Sequence, residues 1–204
     1  MDKTKKDIVA RSDDIAPFIL YTTLNDVDEL ESMVTDKEEH DYVSLSILES
    51  RDWSIVRNEF LFLYLNIVDR VVFDHLGEKE RDALMDNLYR NVFREVILSK
   101  SINQDYDSGR LKKEIQRLRE SLNKRIVHYS KFDKYLKEPT DETADGTLFF
   151  EFSKIIFEKI YMHKWEKSYE LDTDPEEIAI HLHPYKLAAN FMLSFAKIFI
   201  VKDS

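Results

Sequence analysis

Between Glu59 and Leu76 the chain reads EFLFLYLNIVDRVVFDHL, with polar residues only at Glu59, Asn66, Asp69, Arg70, Asp74 and His75. The run is too long for one strand and lacks the alternation of a half-buried one. A transmembrane helix needs about 20 mostly apolar residues. Here Asn66, Asp69 and Arg70 sit at the centre, where each charge would cost about 2.5–3.5 kcal/mol on the insertion scale. A helix this apolar on nearly all sides belongs in the middle of a bundle, with neighbours around it. The expectation is therefore a buried central helix over about 52–76 and no membrane span.

At 100° per residue, Asp52, Glu59, Asn66 and Arg70 fall along one line of that helix, with Asp74 slightly to the side. Because buried charges are rare, a narrow solvent-facing stripe is the first expectation. The alternative is a buried network joining Asp69 or Glu59 to Arg70 and a neighbouring helix. It would need full pairing, since a lone buried charge is strongly unfavourable.

The rest of the chain reads as more helices. A length of 204 residues holds one substantial core, and 3 Gly and 4 Pro leave little material for hairpins. Residues 1–12 are charged and read as a mobile segment. Asp13 or Asp14 caps a first helix with Pro17 in its first turn. Its apolar stripe is Leu20, Leu24, Val27, Leu30 and Val34. Asn25–Asp41 carries eight acids and one base. Tyr42, Leu45 and Leu48 suggest a short helix that either joins the central one or stops before it. Gly77 then closes the central helix as a C-cap.

Leu84, Leu88, Val92 and Val96 mark a third long helix, and Leu111, Ile115, Leu118, Leu122, Ile126 and Tyr129 a fourth. Phe149, Phe152, Ile156 and Ile160 mark the next, after a polar loop over 137–146. Asp174-Pro175-Glu176-Glu177 is a helix start, and Pro184 should kink or split that last helix. Its second half, Leu187–Val201, is apolar nearly all round, as for a helix buried in the bundle or in an oligomer. With no repeat and no dividing linker, the fold class is all-α: a single-domain helical bundle of about six helices over 13–204.

Several chemistries find no residues to carry them. No Cys is present, which excludes disulfides, Cys-based zinc sites and thiol catalysis and fits a reducing compartment. The first residues lack a signal-peptide core, so the expected location is cytoplasmic. Gly77, Gly109 and Gly146 are isolated, so phosphate loops and dinucleotide fingerprints are absent, and no G-x-S-x-G occurs. No His has a carboxylate three residues before it, as di-iron bundles require. The pairs Asp36/His40 and Glu177/His181 and the run His181-Leu182-His183 read as surface or capping histidines. No metal and no cofactor is expected.

Charge is unevenly spread. Arg110–Lys137 has ten bases against three acids, net +7, which leaves −17 for the rest of a −10 chain. Arg117, Lys124, Arg125 and His128 lie beside the apolar seam of the fourth helix and are the anion-binding candidates. The simpler reading is a solvated face, or pairing with Asn25–Asp41 or with a second copy.

The resulting expectation is a non-enzymatic helical interaction or regulatory protein that self-associates, with nucleic acid an unfavoured partner because the whole molecule is acidic. One alternative is a phosphoanion or nucleic-acid binder using the basic helix 110–137. The other is a small-molecule-binding or enzymatic bundle with a pocket near Glu59, Asn66, Asp69 and Arg70, which with Asp74 are the ligand or polar-network candidates.

Overall fold

A computed structural model describes residues 3–35, 53–99, 108–136, 144–161 and 175–200. They form α1 (Lys3–Thr35), α2 (Ser54–Phe73), α3 (Glu78–Ser99), α4 (Ser108–Tyr129), α5 (Leu148–Tyr161) and α6 (Pro175–Phe195). A π-helical turn, Ala196–Ile200, follows α6. Among the described residues there is no strand, and no helix is long and apolar enough to cross a membrane.

The central helix is central in the literal sense. α2 packs against each of the other five helices, which surround it in the order α4, α3, α1, α6, α5. The ring closes where α5 begins. The Leu148 N–H donates to the Lys134 carbonyl at 2.9 Å and the Phe149 N–H to the Tyr135 carbonyl at 3.1 Å. Helix-start N–H groups that lack intrahelical partners thereby tie α5 to the turn after α4. Every residue of α2 from Glu59 to Asp69 is buried. Aromatic rings set the spacing to its neighbours: Phe60 meets Phe152 edge-on at 4.9 Å, and Tyr64 stacks on Phe191 at 3.8 Å.

Some local expectations are corrected. α1 starts at Lys3, not at Asp13 or Asp14, because nothing between Lys3 and Arg11 breaks a helix; Pro17 is then interior. Its buried face is Ile15, Ile19, Thr23, Val27, Leu30 and Val34, while Leu24 is exposed. The true stripe passes through a threonine, which hid it from an apolar pattern. Gly77 does not cap α2. That helix ends at Phe73 with Asp74 in right-handed geometry, and the Gly77 carbonyl instead accepts the Arg81 N–H at 2.9 Å, opening α3. Pro184 does not split α6, which runs unbroken through it. Nor is 187–201 buried all round: Leu187, Ala188, Phe191 and Phe195 face the core and Leu193 is 62% exposed. The short helix suggested at 42–48 and the Asp174 cap lie outside the described residues.

Candidate functional site

Among the described residues of the polar line along α2, the middle is buried, while Arg70 is half-buried and Asp74 exposed. Glu59, Asn66 and Asp69 are 6%, 3% and 7% exposed, so the solvent-facing stripe is overturned. The reason is position: over Glu59–Asp69 the helix is buried on all sides, with five helices packed against it. The network's partners also differ from expectation, because Arg70 bonds to neither Asp69 nor Glu59.

Asp69 takes a two-pronged bond from Arg81 of α3, Nε to Oδ1 and Nη2 to Oδ2, each 2.7 Å. This planar match is the strong form of an Arg–carboxylate contact. It holds the Arg81 guanidinium above its ordinary pKa, the Asp69 hydrogen bond being the largest influence. Arg81 also lies over the Phe73 ring at 5.7 Å. Arg70 donates to two backbone carbonyls, Tyr129 at 2.6 Å and Phe132 at 2.8 Å, and sits 5.5 Å over the Tyr135 ring. A cation there meets the negative end of α4, where the Tyr129 carbonyl also accepts the Phe132 N–H at 3.1 Å. Asp74, exposed at the end of α2, joins Asp69, Arg70, Arg81 and Asp133 around an open cleft of ≈ 430 Å³.

One to three turns earlier the same face meets α4 directly. Arg125 bonds to Glu59 Oε1. Burial is the largest single influence on Arg125 and opposes its charge, but the hydrogen bond and charge of Glu59, with Tyr129 and Glu158, together outweigh it, so its pKa is raised. Glu59 Oε2, Asn58 Oδ1, Asn66 Oδ1 and the Tyr129 hydroxyl are buried without a hydrogen-bond partner among the described residues. Beside them a cleft of ≈ 360 Å³ opens between α2 and α4, lined by Asn58, Glu59, Ser121, Lys124 and Arg125 with apolar neighbours.

The other basic candidates separate by face. The Arg117 side chain is 73% exposed and, among the described residues, pairs only with Glu114 on its own helix, at 2.7 Å. Lys124 is exposed. His128 packs against the Tyr129 and Phe132 rings, and burial, then Lys131 and Arg125, lowers its pKa. Arg119 reaches Asp86 of α3 at 2.7 Å. The inward cations are thus matched by Glu59 and Asp86. The described part of the Asn25–Asp41 segment, 25–35, lies on α1, with α3 between it and α4.

Sequence reading missed a second polar junction. Tyr64 of α2 donates to Asp26 of α1, and His183 Nε2 of α6 stands 2.9 Å from Glu29 Oε1. His183 is buried, not a surface or capping residue. The signal for Asp26 was available: it is one turn from Thr23 on the buried face. Asp36/His40 and the side chains of Glu177/His181 lie outside the described residues. Among the described residues, no three His, Asp or Glu side chains gather as a metal site needs.

What these residues define is an all-α bundle whose central helix is braced by ion pairs to its neighbours. No protein-family model, curated protein sequence or solved structure matches the chain.

Proposed function

We propose that this chain is a non-enzymatic helical interaction protein whose docking surface is the outward face of α4, and that the surface takes an acidic protein face, that of a second copy of this chain. The observation that carries this is the position of three cations. Lys113, Arg117 and Lys124 step by four and seven, so they share one side of the helix, and all three are exposed. α4 packs on both α2 and α3, Arg119 and Arg125 reach acids there, and Lys124 stands at the rim of the α2–α4 cleft. Among the described residues these three cations have only the weak Arg117–Glu114 surface pair. Among the described residues no acid pairs with Lys113 or Lys124.

Charge supplies the partner. Outside 110–137 the chain carries −17. α1 displays Asp14, Asp28 and Glu29 on its exposed side, with the exposed ring of Tyr21 among them. α3 stands between α1 and α4, so these acids are placed to meet the α4 face of another molecule. Such a contact is head-to-tail, and association should grow with concentration.

Sedimentation velocity over a loading series tests this. Oligomers should form at about 0.15 M salt and dissociate near about 1 M, where the screening length falls from about 8 to about 3 Å. Combined Lys113→Glu, Arg117→Glu and Lys124→Glu should abolish them. A single monomeric species at every concentration and salt level would refute the reading. Submicromolar, salt-sensitive binding of mixed-sequence oligonucleotides, lost in the same variant, would replace it with the nucleic-acid alternative.

A further inference from the structure

We propose that the acidic side of α1 carries a proton switch, seated where α1, α2 and α6 meet, that weakens self-association on acidification, a regulation that rests on the docking reading of that same side. Glu29 is one of the acids that side presents, and it has a base against it. Its side chain is 53% exposed, while His183 of α6 is buried beneath it with Nε2 2.9 Å from Glu29 Oε1. Asp26 lies one turn before Glu29 on the same side of the helix and is half-buried. It accepts the Tyr64 hydroxyl of α2, and among the described residues no cation pairs with it.

These contacts fix the direction of the response. A half-buried carboxylate beside a second carboxylate, with a phenol as its donor, holds a proton well above the ordinary range, at about 6. The buried imidazole takes its proton below 6.5, drawn by Glu29 but opposed by burial and by Lys186 of its own helix. Acidification therefore removes the Asp26 charge first and then sets an imidazolium against Glu29. Both changes subtract negative charge from the side of α1 that would meet Lys113, Arg117 and Lys124 of another copy, so attraction falls. The other neighbours meet these helices differently: α3 reaches α1 through Asn91, which donates to Asp13 at 3.0 Å, and α5 meets α6 with Phe149 against Tyr185. The charge of the whole chain, −10 at pH 7, also shrinks on acidification. That lessens repulsion between copies and favours association, the direction opposite to the switch.

Sedimentation velocity of the full chain at about 0.15 M salt, at about pH 7.5 and about pH 5.5, tests the proposal. The dissociation constant should rise by about tenfold or more at the lower pH. The double variant Asp26→Asn, His183→Gln carries neither titrating group, so its two constants should agree within about twofold. If it fails to fold, Asp26→Asn alone should still show a smaller rise than the parent. In the Lys113→Glu, Arg117→Glu, Lys124→Glu chain, expected to be monomeric, carbon NMR of the Asp26 carboxyl should find it titrating near about 6. Equal parent constants at the two pH values would overturn the switch and leave the docking reading standing. So would variants that keep the parent's full response, or an Asp26 carboxyl that titrates in the ordinary range. A parent that is monomeric at both pH values would overturn the docking reading, and its regulation with it.

Discussion

Arg70 illustrates how a single side chain joins two elements without a carboxylate partner. Its two bonds go to the Tyr129 and Phe132 carbonyls, so truncation removes both charged donors, leaves the Tyr129 carbonyl with only the Phe132 N–H, and takes a cation from the end of α4. Hydrogen bonds to charged groups contribute about 1.5–3 kcal/mol each, with imperfect additivity. Arg70→Ala should therefore cost about 2–4 kcal/mol in urea denaturation. Arg70→Lys should restore little of it, since one ammonium cannot reproduce the planar fork. Asp69 and Arg81 behave as a unit. In a double-mutant cycle of Asp69→Ala and Arg81→Ala, a coupling of about 1–3 kcal/mol is expected for a contacting, largely buried pair. Strict additivity would mean that the two-pronged bond contributes nothing to stability.

At the scale of elements, α6 separates what is packed from what is merely apolar. Phe191 is 1% exposed, stacked on Tyr64 and touching Phe18. Phe191→Ala should destabilise by about 3–5 kcal/mol, the usual cost of removing a core aromatic ring. Leu193, two residues on and on the opposite side, should tolerate Leu193→Ala within about 0.5 kcal/mol. Equal effects in thermal or chemical denaturation would contradict the orientation of α6. The turn that leads into α5 has a sharper requirement. Gly146 has φ 76°, with open space where a Cβ would lie, so Gly146→Ala should cost about 1–2 kcal/mol from backbone conformation alone.

For the molecule as a whole, the α1–α2–α6 junction sets a pH dependence with two opposing parts. Burial, opposed by the Tyr64 hydrogen bond and aided by Glu29, raises the Asp26 pKa from 3.8 to about 6. The folded chain then holds that proton more tightly than the unfolded chain does. The Asp26 contribution to stability is full below 3.8 and lost as pH rises through about 6. Burial lowers the His183 pKa from 6.5, against the attraction of Glu29 and with the repulsion of Lys186. Its contribution is present above 6.5 and lost as pH falls through the lowered value. Asp26→Asn should gain stability relative to the parent chain as pH rises from 3.8 to about 6, and His183→Gln should lose less on acidification. Urea midpoints across this window measure both; parallel curves for parent and variants would show that the junction does not titrate.

The sequence by itself determined the all-α class, the place of α2 and the faces of α3, α4 and α5. Each follows from local rules: an 11-residue core of α2 without a free side, and apolar stripes at helical spacing. It also marked Glu59, Asn66, Asp69, Arg70 and Arg125 as residues to watch. Their partners were not legible. Arg81 is twelve residues from Asp69, Arg125 sixty-six from Glu59, and Arg70 bonds to backbone fifty-nine and sixty-two residues away. No periodicity encodes such separations. Only the tertiary structure decided whether the polar line met water or protein, because burial depends on how many helices surround α2. By the same cause it separated Arg119 and Arg125, which find acids on α3 and α2, from Lys113, Arg117 and Lys124, which stay exposed.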